Sequence, residues 1–138
     1  MQRFLLAWIV FMTGWWSVDA APAVTGDLPH YRANLIDTLP VEKLTDIIFF
    51  SIAPKEDGSL DTKNARPEVL RKLTARAHAK KVRVHICVGG WGLSAGFAPM
   101  TANAKARTSF VQQLTTFVRK HNLQGADIDW EHPKTAAE

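Results

Sequence analysis

Three carboxylates recur at every second position in Gly125-Ala126-Asp127-Ile128-Asp129-Trp130-Glu131. On a strand, alternation would send Asp127, Asp129 and Glu131 to one face, roughly 7 Å apart along the backbone. Like charges that close resist joint ionisation, so a proton tends to be kept among them. A proton kept beside a substrate is what a general acid needs. His132-Pro133 ends the run, which makes Glu131 the last strand residue and sets it where the strand meets solvent. Two other readings use the same spacing. One is a divalent-metal site, although Ile128 and Trp130 interleave the acids and the Asn/Gly pattern of a calcium loop is missing. The other is a charged edge strand, with Leu123, Ala126 and Ile128 on its second face. No metal and no other cofactor is expected.

The elements that must position these acids follow from periodicity. Asp46 to Ile52 is an apolar, β-favouring run that suits a strand covered on both faces. Asp57-Gly58 signals a turn after it. Pro67 to Ala79 reads as a helix, with Pro67 and Glu68 in its first turn and Val69, Leu70, Leu73 and Ala77 as its apolar stripe. Val82 to Val88 reads as a second strand, running into Gly89-Gly90-Trp91-Gly92. A second helix is expected over about Ala102 to His121, with Phe110, Leu114, Phe117 and Val118 on one side and Asn122 as a left-handed cap. Leu123 to Glu131 is the third strand. Upstream, His30 to Leu35 is a candidate first strand, and Pro40 to Leu44 the start of a short helix. Alternating strands and helices of this kind build a parallel α/β sheet.

The segments Gln124-Gly125-Ala126-Asp127-Ile128-Asp129-Trp130-Glu131 and Cys87-Val88-Gly89-Gly90 together resemble glycoside hydrolase family 18, the chitinase-like enzymes. That family carries Asp-Gly-x-Asp-x-Asp-x-Glu on its fourth barrel strand and Ser-x-Gly-Gly on its third. Here Gln124 stands in place of the opening Asp, and Cys87 in place of the opening Ser. The resemblance covers about residues 40 to 133. It implies a (β/α)8 TIM barrel of which roughly the first four β/α units are present, with the site at the C-terminal strand ends.

The resemblance also implies the substrate, polymers of β-1,4-linked N-acetylglucosamine, and a substrate-assisted, retaining mechanism. Glu131 would be the acid and base. Asp129 would orient the acetamido group, and Asp127, buried with it, would tune Asp129. Trp91, Gly90 and Tyr31 are the candidate substrate-binding residues, Trp91 because an aromatic face suits sugar C–H surfaces. Trp130, on the opposite face, is expected to pack against a helix, and Gln124 to be structural. Cys87 is expected beside Asp127, where a thiol donates more weakly than a hydroxyl. His85 and His132 are read as structural or surface residues. A carbohydrate-binding lectin of the same fold is the alternative, although its usual mark, loss of the Glu, is absent.

The rest of the chain limits the setting. Gln2-Arg3, the apolar run Phe4 to Trp16 and the small residues around Ala20 to Ala23 have the layout of a secretory signal, so residues 1–20 are expected to be removed and the product secreted or periplasmic. The remaining apolar segments are too short to span a bilayer. Net charge is +4, but Arg71, Lys72, Arg76, Lys80 and Lys81 gather around one predicted helix and read as a solvated face, not a nucleic-acid stripe. Cys87 is the single cysteine, which excludes an intramolecular disulfide. A closed barrel takes about 250 residues. The chain of 138 is therefore expected to be truncated, and poorly stable and inactive by itself.

Overall fold

A computed structural model describes residues 22–135. The expected leader, 1–20, lies outside the described residues. Four strands run parallel: β1 (Thr25–Pro29), β2 (Asp46–Pro54), β4 (Arg83–Gly89) and β5 (Gly125–Asp129), adjacent in the order β1-β2-β4-β5. A two-residue strand, β3 (Leu60–Asp61), pairs antiparallel with the end of β2. The turn between them passes through Gly58 at φ 84°, where an added Cβ would overlap the Ala106 carbonyl. Helix α1 (Pro67–His78) joins β3 to β4, and helices α2 (Phe97–Ala102) and α3 (Ala104–Lys120) join β4 to β5.

Register decides which residues share a face. Ile47 lies beside Val84 and Phe49 beside Ile86. These side chains are buried, and so are Leu70, Leu73 and Ala77 of α1 and Phe110 and Phe117 of α3. The helix-side face of the sheet is therefore the core, and the i, i+3, i+7 spacing of α1 matches the stripe read from the sequence. Burying each such side chain is worth about 1.5–3 kcal/mol. Alternation puts Asp46, His85, Cys87, Asp127 and Asp129 on the other, concave face. Here the edge also shows: β5 is paired only with β4 among the described residues, and Ile128 on its helix side is 52% exposed.

Three expectations are corrected. His30 to Leu35 is not a strand; the first strand is Thr25–Pro29, and His30–Thr38 is 3-10 helix. A parallel neighbour cannot be reached by a tight turn, so the chain must leave the sheet after Pro29 and travel back before β2 begins. Ile36, fully buried, anchors that passage. The helix expected over about Ala102 to His121 is α3, which starts at Ala104 because Asn103 is extended and its side chain accepts from the N–H groups of Lys105 (2.9 Å) and Ala106 (3.3 Å), capping it; the short α2 before it was not expected. Finally, β5 stops at Asp129, so Glu131 is not a strand residue.

At the N-terminal end of the concave face, Asp46 is 6% exposed and accepts from Arg83 (Nε 2.7 Å), Thr45 (2.7 Å) and His85 (Nε2 2.8 Å). The Arg83 guanidinium, against the opposing effect of burial, holds the Asp46 carboxyl well below the usual carboxylate range. A carboxyl with a depressed folded pKa contributes stability that is complete above its unfolded value, about 3.9, and is lost as pH falls through the folded one. Stability should therefore fall steadily below about pH 4. Asp46→Asn should cost about 2–3 kcal/mol at neutral pH and flatten that acid limb. Urea midpoints measured from pH 7 to pH 3 check both, and a parallel acid limb in the variant would refute the assignment.

Candidate active site

The C-terminal ends of β4 and β5 meet at the concave face, with Cys87 beside Asp127 and Gly89 beside Asp129. Here β4 turns across the end of its neighbour. Gly89 (φ 102°) and Gly90 (φ 91°) take left-handed conformations that side chains disfavour. Their lack of a Cβ also makes room. A Cβ on Gly89 would overlap the Asp129 carbonyl, and one on Gly90 would overlap the Phe50 ring and lie 3.2 Å from Oδ2 of Asp129. The Gly90 N–H donates to the Asp129 carbonyl at 2.7 Å. The Ser51 hydroxyl donates to the Gly89 carbonyl at 2.8 Å. Gly90 is thus at the acids, as its place in the sequence suggested.

Asp127 and Asp129 share the face, but both are half-buried, not buried as expected. The open side of β5 explains it, since no described strand covers them there. Cys87 is buried, and Asp127 is its neighbour across the ladder. Burial, then the charges of Asp127 and Asp129, push the Cys87 thiol up to about 12, so it stays protonated at neutral pH. One step deeper, Gly125 lies beside His85, whose Nδ1 is 3.0 Å from where a Cβ would stand. That glycine makes room for a structural histidine, tied to Asp46.

Beyond β5 the backbone is held from two sides. The Trp130 ring stacks on Phe97 of α2, with centroids 5.2 Å apart and planes at 20°. It packs against a helix, as alternation required. The Glu131 N–H donates to the Ser94 hydroxyl at 3.0 Å. Glu131 borders a cleft of about 330 Å³ together with Gly92, Ser94, Ala98, Trp130 and His132. A larger recess, about 770 Å³, lies on the outer side of α1 between Asp37, Glu42, Arg71, Lys72 and Arg76. No strand end reaches it and its charges are mixed, so size alone would misplace the site. Among the described residues, no group of three or more His, Cys, Asp or Glu side chains could hold a metal ion.

The acids on alternating strand positions, the glycine turn fitted beneath Asp129 and the parallel sheet coincide with a known pattern. The model of the glycosyl hydrolases family 18 matches residues 8–138. The chain belongs to glycosyl hydrolase family 18. It is 36% identical over 123 residues to a chitinase-like effector of Moniliophthora perniciosa, covering 89% of this chain and 25% of the effector. It is 33% identical over 109 residues to an endochitinase of Manduca sexta, covering 73% of this chain and 20% of that protein. A chitinase structure from Bacteroides thetaiotaomicron superposes with a TM-score of 0.76 at 25% identity, over 84% of this chain and 38% of that one. The four parallel strands are thus part of a (β/α)8 barrel, and the chain spans a quarter or less of these two relatives' length.

Within this family 18 chain the other expected residues fall as follows. Trp91 follows the glycine turn and is 83% exposed, at the rim of the site. Tyr31 is 70% exposed just past β1, edge-on to His30 at 5.5 Å, and the recess it lines is walled by Asn34, Lys63, Asn64 and Arg66, not by the acids. Gln124 is structural: its Oε1 accepts from the Val84 N–H (2.7 Å) and pairs with Nε2 of His78 (2.9 Å), which ties the end of α1 to β4. Ser94 went unnoticed in the sequence. Its partners are Gly90, four residues earlier, and Asp129 and Glu131, at and just past the end of β5.

Proposed function

We propose that the chain carries the acid-bearing part of a glycosidase site for β-1,4-linked N-acetylglucosamine polymers, chitin or its oligosaccharides. The observation that carries this reading is the convergence of Asp127, Asp129 and the Gly89-Gly90 turn at the strand ends, with Glu131 on the adjoining cleft. In the substrate-assisted scheme Glu131 protonates the glycosidic oxygen as it leaves, and the substrate's acetamido oxygen attacks the anomeric carbon. Asp129 orients that acetamido group and balances the positive charge that develops on it, while Asp127 on the same face tunes the proton affinity of Asp129. Glu131 then takes a proton from the incoming water. Trp91 offers its exposed face to a sugar ring. The chitinase names of the relatives support the substrate class.

A second reading is a catalytically silent binder of the same sugars. The name of one relative, a chitinase-like effector of Moniliophthora perniciosa, favours it. Titration with tetra-N-acetylchitotetraose, followed by NMR and by product analysis of the same samples, separates the two. Binding with cleavage supports the glycosidase, and binding without cleavage supports the silent binder. Absence of both would remove the family's substrate from this chain.

A further inference from the structure

Glu131 lies two residues beyond the last ladder pair, so the sheet does not hold it. What holds its peptide is one hydroxyl. Ser94 is 8% exposed, and its Oγ lies 3.0 Å from the Glu131 nitrogen, 3.1 Å from the Gly90 carbonyl oxygen and 3.2 Å from the Asp129 carbonyl oxygen. A hydroxyl has one proton to give and two lone pairs to receive with. Ser94 therefore shares its proton between the two carbonyls and accepts the Glu131 N–H, joining three backbone groups of the site at one atom. The loop that carries Ser94 is itself fixed. The Leu93 N–H donates to the Gly90 carbonyl at 3.0 Å, and the Phe97 N–H donates to the Ser94 carbonyl at 3.1 Å. Gly96 passes so close to the Pro54 carbonyl that a Cβ there would overlap it.

We propose that Ser94 is a positioning residue for Glu131, setting the acid's peptide relative to Asp129 through its hydroxyl. This rests on the reading of Glu131 as the acid, but its first test needs no turnover. In the full chain, amide exchange followed by NMR should find the Glu131 N–H protected. Ser94→Ala should speed that one exchange by about tenfold, as loss of one hydrogen bond implies. Core amides such as Ile86 should not change, and Ser94→Thr, which keeps the hydroxyl, should retain the protection. A wild-type Glu131 amide that exchanges like an exposed one overturns the proposal even if no variant folds. Protection indifferent to Ser94→Ala overturns it too. Where hydrolysis is measurable, Ser94→Ala should lower kcat with KM little changed. If exchange behaves as stated and no form cleaves the sugar, the positioning stands and the acid assignment fails.

Discussion

Replacing Gly89 by alanine is expected to destabilise the fold by at least about 3 kcal/mol, against about 1–2 kcal/mol for the same change at Gly92. Both glycines have positive φ, 102° and 74°. A side chain in that region costs of order 1–3 kcal/mol wherever it occurs. Surroundings distinguish the two. At Gly92 nothing lies within 4 Å of an added Cβ, whereas at Gly89 it would overlap the Asp129 carbonyl and lie 2.7 Å from the Phe97 ring. Neither neighbour can yield cheaply: one is ladder backbone, the other is stacked on Trp130. The difference between the two variants therefore isolates close packing of β4 on β5 from backbone conformation. Urea midpoints at unchanged m-value measure it. Equal losses at both positions would show that the glycine turn is kept for its dihedrals alone. On a domain with a total stability of about 5–15 kcal/mol, the Gly89 variant should also loosen the acids.

The elements that were legible in the sequence share one property: their own residues bury enough surface to set their period. Val84, Ile86 and Val88 are buried in turn, as are Leu70, Leu73 and Ala77, and each pattern is visible without its partner. The shared face of Asp127 and Asp129 was legible too, since spacing two on a strand needs only alternation, but Glu131 lies beyond the strand and alternation does not place it. What escaped depends on distant partners. Thr25-Gly26-Asp27-Leu28-Pro29 has no strand-like run, and only its pairing with Asp46 to Phe50 makes it β1. Helix α2 is six residues long and contains Pro99, too short for a period to register. The end of β5 was overestimated because nothing local marks it. Trp130 turns to Phe97 and the Glu131 N–H leaves the ladder for Ser94, 37 residues earlier. Such losses fall at the site itself, where contacts between loops displace regular pairing.

The acid assignment makes the largest demand. Glu131→Gln should lower the rate of chito-oligosaccharide hydrolysis by about 10²- to 10⁴-fold, the range a positioned general acid supplies, while affinity stays within a few fold. Gln has nearly the same shape and keeps the backbone N–H that Ser94 receives, so the fold is not asked to change. Its amide cannot give a proton to the leaving oxygen. Asp129→Asn removes a charge but not a proton donor, so it tests a different step: it should slow the attack of the acetamido oxygen by leaving its developing positive charge unbalanced. Hydrolysis of N-acetylglucosamine oligomers, with chromatographic detection of products, reads both variants against the wild type. A Glu131→Gln protein that cleaves at the wild-type rate would move the acid elsewhere, with His132 on the same cleft the next group to examine. A wild-type chain that binds the oligomer without cleaving it, and whose affinity is unchanged by Glu131→Gln, would support the silent binder over the glycosidase.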